Sequence, residues 1–169
     1  DATCAFVKRS QKIVRERYLA GDMIVIVGEP QHAEVIGING WCDGKALVIS
    51  DENAPVPDIG GKNACVVAQT TFSKQKYQKI IENITAKCGK TVEIFQTICY
   101  TTEERQKEAD ELSKKCDAMI VLGGLSSSNT QKLYEICQKN CDAVIRVPDA
   151  ESLDPKQFIH YETVGIVAG

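Results

Sequence analysis

The feature that most constrains this chain is an internal duplication. Cys4 opens a helix-like stretch that leads into the apolar run Met23-Ile24-Val25-Ile26-Val27-Gly28 and then the polar loop Glu29-Pro30-Gln31-His32-Ala33-Glu34. Cys99 opens a second such stretch, leading into Met119-Ile120-Val121-Leu122-Gly123-Gly124 and the loop Leu125-Ser126-Ser127-Ser128-Asn129. His32 follows Cys4, and Ser127 follows Cys99, by the same 28 positions. The correspondence continues from Ala46-Leu47-Val48-Ile49 to Ala143-Val144-Ile145, and from Ala64–Ala68 to Val164–Ala168, while the offset drifts from 95 to 100. Solenoid units run to roughly 20–50 residues, so a period this long reads as domain duplication. Each copy offers one thiol and one polar loop at matching places, which points to a site shared by two related domains.

The two domains are expected over 1–96 and 97–169 of the 169 residues. Helices are expected near 6–19, 73–87, 103–115 and 129–139, and strands near 23–27, 34–38, 46–49, 65–68, 91–95, 118–122, 143–147 and 163–167, with loop over 51–61. The apolar runs are continuous and rich in Val and Ile, as in parallel strands buried on both faces. Strands alternating with helices give an α/β class: two related three-layer, helix-sheet-helix domains with mainly parallel sheets. Ligands of such sheets bind beyond the carboxyl ends of the strands. The loops after Val27 and Leu122 emerge there, as does Gln69-Thr70-Thr71. The second copy stops at the counterpart of Ala68–Gln69 and lacks the following helix, which would leave one sheet face bare. Together with the absent starting methionine, this suggests a fragment of a longer protein.

A net charge of −3 gives no electrostatic case for nucleic acid or an anionic membrane as partner. No run approaches the roughly 18–20 apolar residues of a membrane span, and no signal peptide opens the chain, so the expected compartment is the cytoplasm. None of the eight cysteines forms a Cys-x-x-Cys pair, so no zinc ribbon is signalled. Cys65, Cys116 and Cys137 are expected in core packing.

Cys4 and Cys99 differ from these by position. Each precedes a helix, where free N–H groups and the macrodipole favour a thiolate. Two such thiols are compatible with ligation of a metal cluster, and equally with plain helix capping. Ser127-Ser128-Asn129 at a strand-to-helix junction fits a phosphate site or an ordinary N-cap. His32 and Glu34, one residue apart, would point the same way on an extended loop and could relay a proton or bind an anion. Thr70 and Thr71 would add hydroxyls at the same rim, or cap the helix that follows.

Taken together, Asp1-Ala2-Thr3-Cys4, the stretch from Gly28 to Gly37, Gln69-Thr70-Thr71, the stretch from Thr97 to Gln106, and Ser127-Ser128-Asn129-Thr130 closely resemble the 4-hydroxy-3-methylbut-2-enyl diphosphate reductase family, in the family's order and over the whole chain. The resemblance implies three related α/β domains around a central 4Fe-4S cluster, of which this chain would hold two, the middle one first. It implies reductive removal of the substrate's hydroxyl as water, giving isopentenyl and dimethylallyl diphosphate, with an electron donor such as ferredoxin or flavodoxin. By the same resemblance, Cys4 and Cys99 match two of three cluster ligands. His32, Ser127, Ser128 and Asn129 match residues that hold the diphosphate, Glu34 matches the proton-delivering acid, and Thr70 matches a hydroxyl near the substrate's alcohol. Ala5 stands where the family usually has proline. The third cysteine would lie outside this chain, so the 169 residues alone are expected to be inactive. The alternative is a non-catalytic α/β module that binds a phosphorylated ligand.

Overall fold

The computed structural model describes residues 3–56, 62–88 and 92–169. Part of the expected loop, including Pro57 and Gly60-Gly61, lies outside the described residues, as do Asp1, Ala2 and Thr91. The chain divides into two compact units, Asp1–Cys99 and Tyr100–Gly169.

In the first unit, α1 (Ala5–Leu19) buries Ser10 and Val14, one helical turn apart on its inner face. It ends at Gly21, whose φ of +91° suits glycine. Gly21 N–H donates to the Tyr18 carbonyl (3.1 Å) and Asp22 N–H to that of Arg17 (3.1 Å), the pair of bonds of a Schellman close. The chain then reverses into β1 (Met23–Val27). After α2 (Ala33–Asn39), a 3₁₀ turn at Gly40–Cys42 leads to β2 (Leu47–Ile49), β3 (Ala64–Ala68), α3 (Lys74–Cys88) and β4 (Val92–Ile94). The sheet has the order β2-β1-β3-β4, and every pairing is parallel. Ile24, Ile26, Cys65 and Val67 pack on one face with Val14 of α1 and Val35 and Ile38 of α2. Val25, Val27, Val66 and Ala68 pack on the other with Tyr77, Ile80 and Ile84 of α3. Both faces are covered, which explains the continuous apolar runs.

The expected strand at 34–38 is instead the helix α2. Val35, Ile36 and Ile38 favour strands as residue types. However, Val35 and Ile38 are three apart, and both are buried against the sheet, a helical spacing. A helix cap at His32 completes the local preference.

The second unit contains α4 (Tyr100–Ser113), β5 (Ala118–Leu122), α5 (Ser128–Gln138), β6 (Ala143–Val147), a 3₁₀ turn at Pro155–Phe158 and β7 (Val164–Ala168). Helix α4 begins at Tyr100 rather than 103, so Cys99 directly precedes it. The sheet is parallel with the order β6-β5-β7. Met119 and Val121 pack against Ala109 of α4 and Leu133 and Cys137 of α5. The opposite face of β7 is bare, with Val164 37% and Ile166 62% exposed, whereas all of β3 is buried.

The duplication holds down to single hydrogen bonds. Gly28 N–H donates to the Ile49 carbonyl and Gly123 N–H to that of Val147, both at 2.9 Å. Gln69 N–H donates to the Val27 carbonyl (2.8 Å) and Gly169 N–H to that of Leu122 (2.9 Å). Each glycine leaves its central strand in a crowded place. A Cβ on Gly28 would stand 2.7 Å from Val35 Cγ2 and 2.9 Å from Gln69 Cβ, and one on Gly123, where φ is +152°, would stand 2.8 Å from the Gly169 carbonyl.

Candidate active site

Parallel topology delivers the carboxyl ends of β1 and β3 to the same rim of the first unit. There, Glu34 lies in the first turn of α2, and its carboxylate takes both donors of Thr70. Thr70 N–H donates to Glu34 Oε1 at 2.7 Å, and Thr70 Oγ1 donates to Glu34 Oε2 at 2.8 Å. Thr70 is only 7% exposed, and hydrogen bonds to an ionised carboxylate are the short, strong kind. The Thr70 carbonyl in turn accepts from Cys99 N–H at 2.9 Å. Three residues expected from sequence, at positions 34, 70 and 99, therefore form one hydrogen-bonded group.

His32 joins them differently from the expectation. It does not lie beside Glu34 on an extended loop; it is the N-cap of α2, and its Nδ1 accepts from Glu34 N–H at 3.2 Å. That bond commits Nδ1 as an acceptor, so the neutral ring carries its proton on Nε2 and presents that N–H as a donor. Cys4 is the N-cap of α1, exposed, with no side-chain cap bond. Because α1 and β1 are joined by a tight reversal, the start of α1 lies at the same end of the unit as the exit from β1. A helix of 15 residues is about 22 Å long, and a strand of 5 about 17 Å, so the two run nearly level.

In the second unit, Ser127 is the N-cap of α5, and its Oγ accepts from Thr130 N–H at 3.2 Å. The capping role is thus realised, at the position that answers His32. Ser128 and Asn129 occupy the first helical turn, and Asn129 Oδ1 is buried without a hydrogen-bond partner among the described residues. The NH2 end of that amide, rather than its unpaired oxygen, is the end that can donate to an anionic ligand at a helix start.

The other thiols behave as packing groups. Burial pushes Cys65 up to about 12 and Cys137 up to about 11, so both stay protonated. Cys116 is partly buried against the second core. Cys4 and Cys99 stand apart by position, each directly before a helix start and neither fully buried. They fit thiolate ligation of iron. No group of three or more His, Cys, Asp or Glu side chains that could hold a metal ion gathers among the described residues.

Two groups escaped the sequence reading. Gln69, fully buried, accepts from Glu29 N–H at 3.0 Å through Oε1 and donates to Thr71 Oγ1 at 2.9 Å through Nε2. It therefore ties the loop after β1 to the loop after β3. Thr97 is the other. Each falls within a string that carries the resemblance, Gln69 in Gln69-Thr70-Thr71 and Thr97 at the head of the stretch to Gln106, but neither has an assigned role there.

Comparison with known proteins gives a consistent set of relatives. A sequence profile of the family described as LytB protein matches residues 1–169. A 4-hydroxy-3-methylbut-2-enyl diphosphate reductase of Thermoanaerobacter sp. (strain X514) is 47% identical over 171 residues, covering 100% of this chain and 58% of its own length. The reductase of that name from Clostridium tetani (strain Massachusetts / E88) is 43% identical over 171 residues, with 26% of its length covered. Among solved structures, the E-1-hydroxy-2-methyl-but-2-enyl-4-diphosphate reductase from Plasmodium falciparum superposes with a TM-score of 0.88 at 26% identity, covering 100% of this chain and 54% of that one. The chain thus spans little more than half of the Thermoanaerobacter and Plasmodium proteins. With the profile matched from its first residue to its last, the chain belongs to the LytB protein family.

Proposed function

We propose that these residues form two of the three domains of a 4-hydroxy-3-methylbut-2-enyl diphosphate reductase, the first repeat being its middle domain. The observation that carries this reading is the Glu34 carboxylate gripping both donors of Thr70 while Thr70 holds the main chain of Cys99. It couples a proton donor, a hydroxyl and a thiol, which is what reductive dehydroxylation requires. The balance is R–OH plus two electrons and two protons giving R–H and water.

Cys4 and Cys99 would hold a 4Fe-4S cluster together with a third thiolate from outside these residues. When bound, that cluster supplies the electrons, drawn from a carrier such as ferredoxin or flavodoxin, and an open iron for the substrate's hydroxyl. The remaining work falls to protein groups. Thr70 Oγ1 directs its hydrogen to Glu34 and keeps lone pairs free to accept from the substrate's alcohol. Once Glu34 is protonated the bond reverses: Glu34 donates to Thr70 Oγ1, and Thr70 passes its own proton to the departing hydroxyl. In the second unit, Ser127, Ser128 and Asn129 would bind phosphate at the start of α5; in the first, His32 offers an Nε2–H donor for an anionic group. The setting is cytoplasmic; no described helix is long and apolar enough to cross a membrane.

The test is anaerobic reconstitution of the full-length reductase containing these residues, with iron and sulfide. The expected result is a stoichiometric cluster and turnover, both lost in Cys4→Ser and Cys99→Ser, while the 169 residues alone do not turn over. Phosphate-ligand binding untouched by either substitution, with no iron in the full-length protein, would leave a binding module in place of the enzyme.

A further inference from the structure

We infer that Thr97 is the positioning residue for the Cys99 thiol, acting through a side-chain rung that extends the parallel ladder beyond the end of β4. Within that strand the ladder is ordinary, with Cys65 opposite Glu93 and Val66 opposite Ile94. Phe95 N–H then donates to the Val66 carbonyl at 2.9 Å. Two residues later on each strand, the main-chain rung is replaced. Ala68 N–H donates to Thr97 Oγ1 at 2.7 Å, and Thr97 Oγ1 donates to the Ala68 carbonyl at 2.8 Å. Two residues further on, Cys99 N–H donates to the Thr70 carbonyl at 2.9 Å. The series 95-to-66, 97-to-68, 99-to-70 keeps the two-residue period of a parallel pair although the strand itself ends at Ile94.

A single hydroxyl thus satisfies the N–H and the carbonyl of Ala68, which is fully buried, from a threonine only 3% exposed. Substituting a hydrocarbon there would orphan two buried main-chain groups at once, which is costly in a dry interior. The side chain takes the place of the main-chain bond at Thr97 alone, and direct main-chain bonding resumes at Cys99. The hydroxyl therefore sets the register with which Cys99 reaches Thr70. Thr97 touches no substrate atom; it acts through Cys99. The role as cluster positioner rests on the proposed function, whereas the register itself does not.

The experiment uses the full-length reductase in its metal-free form and reads iodoacetamide labelling of Cys99 by peptide mass spectrometry, with the exposed Cys4 as internal reference. In Thr97→Val, which keeps shape and loses the hydroxyl, Cys99 labelling relative to Cys4 is expected to rise roughly ten-fold. Thr97→Ser is expected to match the wild type. In the reconstituted protein, Thr97→Val should lower kcat with little change in KM and alter the cluster's EPR signal, again restored by Thr97→Ser. An unchanged labelling ratio in folded Thr97→Val, or a Thr97→Ser variant behaving like Thr97→Val, would overturn the inference. If Thr97→Val does not fold, amide exchange in the wild type decides: matched slow exchange at Ala68 and Cys99 supports the rung, and free exchange at Cys99 sinks it. If no cluster forms even in the wild type, the functional reading fails, but labelling and exchange still judge Thr97.

Discussion

At the scale of the residue, Glu34 commits both carboxylate oxygens to one threonine. Glu34→Gln keeps the size and one acceptor but cannot carry the transferable proton. On the proposed function, turnover of the full-length protein is expected to fall by roughly 10²-fold or more with KM little changed. A variant that retained wild-type kcat would remove Glu34 from proton delivery. Gly28 makes a different point, since any Cβ there is met by Val35 Cγ2 at 2.7 Å and Gln69 Cβ at 2.9 Å. Gly28→Ala should therefore destabilise by about 1–3 kcal/mol through overpacking, read from the urea midpoint. Val35 lies next to Glu34 and Gln69 next to Thr70, so the same substitution should also slow turnover. Wild-type stability in Gly28→Ala would mean that α2 yields more readily than its buried packing implies.

At the scale of the element, β5 and β7 are joined at their amino ends by a clamp between Asp117 and Thr163. Thr163 N–H and Oγ1 donate to Asp117 Oδ2 at 2.9 and 2.8 Å, and Asp117 N–H donates to the Thr163 carbonyl at 3.0 Å. The bonds from Thr163 hold the Asp117 carboxyl below its usual value. Asp110 is lowered likewise, by Lys114 first and then Asn140. A depressed carboxyl contributes fully above its unfolded value of about 3.9, and that contribution is lost as pH falls through the lowered folded value. The second unit should therefore weaken below about pH 4, and Asp117→Asn should flatten that acid loss in urea titrations run at successive pH. An equally steep loss in Asp117→Asn and Asp110→Asn would rule these two groups out. How far the elements could be read from sequence depended on how far their cause is local. Long apolar runs and Gly21 announced β1 and the end of α1, because strand burial and a left-handed close leave marks in adjacent residues. Helix α2 was misread because its β-branched residues argued locally for a strand, while the sheet against which Val35 and Ile38 pack lies elsewhere in the sequence. Likewise, Cys4, His32, Glu34, Thr70 and Cys99 were recognised as motif members, but the pairing of Glu34 with Thr70, and the rung made by Thr97, join residues far apart in sequence and had no local signature.

At the scale of the whole chain, two copies of one plan differ in how completely their sheets are covered. Helix α3 hides the second face of the first sheet, whereas the corresponding face of β7 leaves Ile166 62% exposed. A groove of about 490 Å³ runs beside the same strand, lined by Arg105, Glu108 and Leu112 of α4, by Lys115 just beyond it, and by Ile166. An apolar face on an edge strand invites pairing with another chain. The isolated 169 residues should self-associate with rising concentration in analytical ultracentrifugation, and Ile166→Lys should reduce it; association unchanged by Ile166→Lys would acquit this face. The strand orders β2-β1-β3-β4 and β6-β5-β7 carry one more consequence. In both copies the first strand made is the central one, and its partners come later: Val25 pairs with Leu47 and with Val66, and Ile120 with Ile145 and Ile166. During synthesis the run Met23–Val27 therefore leaves the ribosome with neither neighbour yet in existence. At about 5–20 residues per second, it waits seconds for β3, so the strand at the middle of each fold is also the one that depends longest on protection by the translation machinery.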